Sequence, residues 1–205
     1  MTIYKNKDNK RLPGVTTILG ILNKPQLVAW ANNLGLNGIE SSKFVDDLAN
    51  VGTLAHALVH EHLTGKKVDL DEYSKKDIDR AENAVISYFE WEKDKKVKVI
   101  LAEAQLVSEK DQYGGTCDLY AEINGEKCLI DFKTSKALYD EHMYQVSAYK
   151  MLLEENGYPV DKCIIVRIGR EATEGFETRT ITNFELGQQI FRHCLAIYKL
   201  RKEAK

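Results

Sequence analysis

Two periodicities divide the chain. From about residue 25 to residue 95, apolar residues recur at helical spacing; beyond it they fall into short strand-like runs. Pro25 suits a helix N-terminus, and the pattern predicts a helix over 26–34 ended by Gly35. A short helix is expected over 41–50. A further one runs over 53–63, where Leu54, Leu58 and Leu63 share a face, and stops at Gly65. Ser74 is placed to cap a long helix reaching about Trp91. Before these helices, residues 1–24 read as extended, with Pro13-Gly14 turning into the β-branched run Val15-Thr16-Thr17-Ile18.

The second part predicts strands over 98–108, 115–123 and 127–132. Asn124-Gly125 between the last two is a strong hairpin signal. A helix over 140–156 closes at Gly157, strands follow at 162–168 and 176–181, and an amphipathic helix runs over 183–201. Helices first, then a strand hairpin, then helix–strand–strand–helix, give an α/β fold: a central mixed sheet flanked by helices, with an N-terminal helical elaboration. Residues 1–205 read as a single domain, mainly helical over 1–95 and sheet-containing over 96–205.

Composition narrows the class. The 205 residues are 43% hydrophobic and 29% charged, ordinary for a globular chain. No apolar run is long enough to span a membrane, and the polar start shows no signal-peptide pattern, so a cytoplasmic protein is expected. Cys117, Cys128, Cys163 and Cys194 form no C-x-x-C pair, which argues against a zinc ribbon or iron–sulfur cluster and for reduced core thiols. The net charge of −2 weighs mildly against non-specific nucleic-acid binding without excluding a local basic groove. Lysines and arginines gather at Lys93 to Lys98, at Lys133 and Lys136, and at Lys199, Arg201, Lys202 and Lys205; solvated helix ends are the plain reading, favoured for the last group.

Candidate chemistry centres on Asp131-Phe132-Lys133. Chance alone yields roughly one D-x-K in a chain this long, so its surroundings decide. On an extended strand Asp131 and Lys133 point to the same face. Asp118 lies in the partner strand of the predicted hairpin. Two carboxylates and an ammonium at a strand end can hold a hard divalent cation and position water, or can be exposed aspartates paired with Lys133. His56 and His60 lie one turn apart, but Ala57 occupies the position where a zinc-protease H-E-x-x-H motif needs Glu. Glu103 is a lone acid in an apolar strand, either near the metal or Lys133 or simply outward-facing. Gln145 and Tyr149 share a helix face within reach of a phosphate or base edge. Trp30, Tyr88, Phe89 and Trp91 suit core packing better than base stacking. No phosphate-cradling glycine pattern is present.

In order, GVTTIL with Leu27 to Trp30, GTLAH at 52–56, GGTCDLYAEI at 114–123, CLIDFKTSK at 128–136 and QVSAY at 145–149 resemble the PD-(D/E)xK nuclease superfamily, in its RecB-like exonuclease branch. The resemblance implies a restriction-endonuclease-like core. It implies that His56, Asp118, Asp131 and the backbone carbonyl of Phe132 bind Mg²⁺ or Mn²⁺. Lys133 would orient or deprotonate the attacking water, with Glu103 an additional acidic group. Thr134, Ser135, Lys136, Gln145 and Tyr149 would shape the site or meet substrate, and the N-terminal helices would form an arch or wall for a DNA strand. The iron–sulfur cysteines of some relatives are missing. With no helicase domain attached, unwinding would fall to a partner helicase or recombination protein. The expected activity is a metal-dependent DNA exonuclease in phage-type DNA recombination or processing, acting in the host cytoplasm; the alternatives are a catalytically silent DNA- or protein-binding module and a structure-specific endonuclease. Strand polarity and oligomeric state are left open.

Overall fold

The computed structural model describes residues 2–169 and 174–204; Lys205 of the C-terminal basic group lies outside them. A two-stranded hairpin, β1 (Tyr4–Lys5) and β2 (Arg11–Leu12), precedes α1 (Val15–Leu19), α2 (Pro25–Leu36), α3 (Ser41–Thr64) and α4 (Lys75–Glu92). Then come β3 (Val97–Ser108), β4 (Tyr113–Ile123), β5 (Glu126–Lys133), α5 (Asp140–Glu155), β6 (Lys162–Ile168), β7 (Phe176–Ile181) and α6 (Glu185–Glu203). The five long strands form one sheet in the order β3-β4-β5-β6-β7. Only β5 and β6 are parallel, joined through α5; the other pairs are antiparallel. This is the mixed, helix-flanked sheet that the sequence pattern predicts.

Each face of the sheet carries its own core. On one, Val146, Leu152 and Leu153 of α5 and Phe191 of α6 pack with α1 over Tyr113, Leu129, Cys163 and Ile165. On the other, Leu54 and Val59 of α3 and Ala84 and Tyr88 of α4 cover Leu119, Ile130, Phe132 and Val166. Burying an aliphatic side chain of this size contributes about 1.5–3 kcal/mol. All four cysteines are buried free thiols. At the hairpin turn Asn124 and Gly125 both take positive φ, 53° and 90°, as a type I′ turn requires.

Three local expectations are corrected. Residues 15–19 are helical, not extended. Val15, Ile18 and Leu19 stand at i, i+3 and i+4 and are all buried, so packing overrides the β preference of the branched residues. Gly35 lies inside α2; the helix ends at Leu36, and Gly38 at φ 72° is the left-handed residue that closes it, with Ile39 N–H donating to the Leu34 carbonyl at 3.0 Å. Residues 41–64 form one helix across Gly52 instead of two. Gly52 reads as a breaker, yet it is where α3 rests on the end of β5: a Cβ there would stand 2.5 Å from Thr134 Oγ1.

That contact sets how α3 sits on the sheet, and it can be tested by a double-mutant cycle. Gly52→Ala alone should cost about 1–3 kcal/mol through overpacking. In a Thr134→Ala background the cost should vanish, since the obstructing hydroxyl is gone and alanine favours the helix. Urea denaturation of the four proteins measures this; equal costs in both backgrounds would show that the contact does not constrain the helix.

Candidate active site

The site forms where β4 and β5 separate. Their ladder runs from Ile123↔Glu126 to Leu119↔Ile130 and stops one residue short of Asp118 and Asp131. Asp118 then takes over as an acceptor: its Oδ2 receives the Phe132 N–H at 2.8 Å. The side chain thus satisfies a backbone donor that the strand pairing leaves free. Asp131 is 1% exposed, and its Oδ2 lies 2.6 Å from Lys133 Nζ. The approach is off the direction a good hydrogen bond needs, so this buried oxygen has charge contact without a well-formed bond.

His56 arrives from α3, one turn past Gly52. Its ring stands edge-on to Phe132, with centroids 5.9 Å apart, and Phe132 is held edge-on by Tyr88 at 5.3 Å. His56 Nδ1 lies 3.9 Å from Asp118 Oδ2. Glu103 approaches from β3, in register with Asp118 between the pairs Ala102↔Leu119 and Ala104↔Cys117. Its φ is +49°, a left-handed conformation that a non-glycine residue in mid-strand adopts at a cost on the order of 1–3 kcal/mol. One ligand atom each from His56, Glu103 and Asp118 falls within 4.8 Å of the others. Opposite ligands stand about 4.2 Å apart around Mg²⁺ and up to about 5 Å around a larger divalent cation, so the spacing is in the range of one coordination sphere with little closing of the site needed. Asp131 is outside this trio; its carboxylate faces Lys133.

The electrostatics show the strain of gathering these groups. Burial, with Asp118 nearby, pushes Asp131 up to about 6. Burial also raises Asp118, against the pull of Lys133 and the Phe132 N–H. Glu103, open to solvent on one side, rises to about 7 through partial burial and the Asp118 charge. Burial and Lys133 lower His56 to about 4, leaving a neutral imidazole at neutral pH. Burial would lower Lys133, but Asp131 and Asp118 outweigh it and keep the ammonium charged. Crowded carboxylates beside a neutral imidazole, with a buried carboxylate oxygen lacking a proper bond, make a donor set suited to a divalent cation.

The remaining expected residues lie close by. Gln145 Nε2 donates to the Tyr149 hydroxyl at 2.8 Å. Tyr149 is buried, and its ring occupies the space over Gly115, where a Cβ would meet Cε1 at 2.7 Å. It is therefore walled into the sheet, and the half-buried Gln145 is the member of the pair nearer the surface. Thr134 and Ser135 are half-buried, Ser135 donating to the Ala137 carbonyl at 2.7 Å, and Lys136 is exposed. Tyr88 lies in the core and Trp91 packs half-buried against it, as expected. Phe89 is exposed and Trp30 is only half-buried on a helix that buries no residue, so the packing expectation does not hold for those two.

An open cleft of about 710 Å³ leads to the cluster, lined among others by His56, His60, Glu103, Thr134, Lys66 and Lys67. Sequence reading passed over the last two as part of a polar loop. The loop is in fact fixed: Gly65 turns it at φ 75°, and Glu61 accepts the Val68 N–H at 2.8 Å and pairs with Lys67 at 3.2 Å. A Gly-Lys-Lys directly after a helix that carries a candidate ligand is the signal that would have found them.

No family model and no curated protein matches this chain. Solved structures do. A candidate exonuclease from Eubacterium rectale superposes with a TM-score of 0.50 at 15% identity, over 74% of this chain and 65% of that one. The alkaline exonuclease LHK-Exo from Laribacter hongkongensis gives a TM-score of 0.43 at 13% identity, over 77% of this chain and 85% of its own. LHK-Exo in complex with dAMP gives 0.44 at 13% identity, over 77% and 86%. This chain spans 65% of the length of the Eubacterium rectale protein, and the likeness is one of fold; this chain's five-stranded mixed sheet flanked by helices is consistent with a nuclease-like core.

Proposed function

We propose that this chain is a divalent-metal-dependent nuclease that hydrolyses phosphodiester bonds in DNA, acting from strand ends. The observation that carries the reading is the meeting of His56, Glu103 and Asp118 within 4.8 Å, beside the buried Asp131–Lys133 pair, at the split between β4 and β5. The choice of DNA and of end-directed cleavage draws on the PD-(D/E)xK resemblance.

His56, Asp118 and Glu103 would hold Mg²⁺ or Mn²⁺, with Asp131 and the Phe132 carbonyl as further oxygen donors. When bound, the cation lowers the pKa of a coordinated water and polarises the scissile phosphate. Lys133, kept as an ammonium by its two carboxylate neighbours, acts as a donor that orients the attacking water and offsets negative charge developing on the phosphate. Neutral His56 offers a lone pair at working pH. Phe132 and Tyr88 fix the imidazole plane. Gln145 and Tyr149 brace the α5 side of the site, while Thr134, Ser135 and Lys136 continue from the strand end towards the substrate.

Asp131→Ala and Lys133→Ala should both fold, shown by unchanged circular dichroism, and lose at least about 100-fold in cleavage with Mg²⁺ or Mn²⁺. Calorimetric titration should separate them, with the Asp131 variant binding metal more weakly and the Lys133 variant binding nearly as wild type. Cleavage as fast as wild type by either variant would refute the assignment. Linear and covalently closed substrates, incubated side by side, distinguish end-directed from internal cutting.

The pKa shifts also predict a pH signature. Asp131 and Glu103 are raised from their ordinary 3.8 and 4.5, so the stability they contribute is full below those values and is lost as pH rises through about 6 and 7. His56 is lowered from 6.5, and its contribution runs the other way, growing as pH rises from about 4 to 6.5. Above pH 7 all these groups are ready to ligate, whereas at pH 5 protons compete at the carboxylates. At a hundredfold excess over Kd a cation adds about 2.7 kcal/mol, which is about 5–10 °C in Tm for a chain of this size. Thermal melts with and without Mn²⁺ should show that rise at pH 8 and a clearly smaller one at pH 5. An equal rise at both would place the metal elsewhere.

A further inference from the structure

Away from the cleft, the β1–β2 hairpin and the α1 region face the C-terminal half of α6 across three adjoining grooves of about 430, 300 and 280 Å³, all lined by Tyr198 and Lys202. The cations lining them are Lys10, Arg11, Lys199, Arg201 and Lys202, against a single acid, Glu203. None of the five forms a salt bridge among the described residues. Lys202 stands over the Tyr198 ring at 5.4 Å, and Lys199 donates to the Asp111 carbonyl at 2.9 Å. Elsewhere cations are often neutralised, as Lys24 is by Glu141, Lys127 by Glu122 and Arg167 by Glu177. In a chain of net charge −2, this strip is a local positive field with hydroxyls (Thr16, Thr17) and an aromatic ring beside it.

The strip connects to the candidate site along one strand. Tyr4 lines the largest groove, packs against Gly114, where a Cβ would meet its ring at 2.5 Å, and shares a hydrogen bond of 2.9 Å with Thr116 Oγ1. Thr116 precedes Asp118 by two residues on β4, about 7 Å along the strand. A strand whose scissile phosphate lay at Asp118 would therefore need only a few more nucleotides to reach Arg11 and Lys202. We infer that this groove is a second nucleic-acid contact, holding the backbone of the substrate strand beyond the point of cleavage. The inference rests on the nuclease reading. An acidic protein partner would also suit the charge, but it would give no reason for the groove to abut the strand that carries Asp118.

The test compares wild type with Arg11→Glu/Lys202→Glu and the milder Arg11→Gln/Lys202→Gln, after melts establish that the variants fold. Binding of a phosphorothioate-linked oligonucleotide of about 20 nucleotides is followed by fluorescence anisotropy with Mg²⁺ over a range of salt. The Glu variant should bind about tenfold more weakly, with its salt slope reduced by about 1.4, or 0.7 per lost phosphate contact, and the Gln variant should fall between. Turnover of a trinucleotide too short to reach the groove should match wild type. Unchanged binding of the long strand would overturn the inference and leave the groove to an acidic protein. Equal losses on long and short substrates would also overturn it, by placing the effect at the active site. If wild type cleaves nothing yet binds the long strand in a groove-dependent way, the nuclease reading fails and the groove stands.

Discussion

The structure turns on the burial of two carboxylates at the point where a β-ladder ends. Asp118 and Asp131 lie where β4 and β5 cease to pair, and neither is comfortable there. One is held by a backbone N–H, the other by an ammonium at 2.6 Å. Every neighbouring element answers to that arrangement. Gly52 brings α3 close enough to deliver His56, the bend in β3 delivers Glu103, and Tyr149 fills the space that Gly115 leaves open on the opposite face. Removing a partner from buried charge is costlier than never having placed it there, so the groups hold each other in position.

The division of labour between the two sheet faces follows. The α5–α6 face is a deep apolar core around the strand centres, and the α3–α4 face is apolar only as far as Phe132, beyond which the cleft opens. A sheet buried on both sides supplies the rigidity needed to hold carboxylates off their preferred protonation state. A site at its frayed end supplies access. The same split explains why Asp131 is almost dry while Glu103, on the wall of the open cleft beside His56, stays exposed.

Much of this was legible in the sequence. Strand limits at 162–168 and 176–181, the Asn124-Gly125 turn, the Ser74 cap and the Asp131/Lys133 facing all follow from short-range patterns whose physics is local. The failures share a cause. Val15 to Leu19 and the continuous run across Gly52 depend on contacts far along the chain, and a helix made by burial or a glycine needed for close approach has no local signature. Within the site, sequence placed Asp131 and Asp118 together but could not show that Asp131 turns to Lys133 while Asp118 sides with His56 and Glu103. The Gly-Lys-Lys run flags Lys66 and Lys67, but their place at the cleft depends on a loop folded back by Glu61.

The bend at Glu103 has a bearing beyond the site. β3 is an outer strand of the sheet, twelve residues long, and such a strand presents a row of unpaired N–H and C=O groups. A register shift between Val99 and Leu101 and the left-handed turn at Glu103 break that row near its middle. A second strand trying to extend the sheet would find no straight run of hydrogen-bonding groups to pair with. The distortion that aims an acid at Asp118 thus also guards the open edge of the sheet against aggregation.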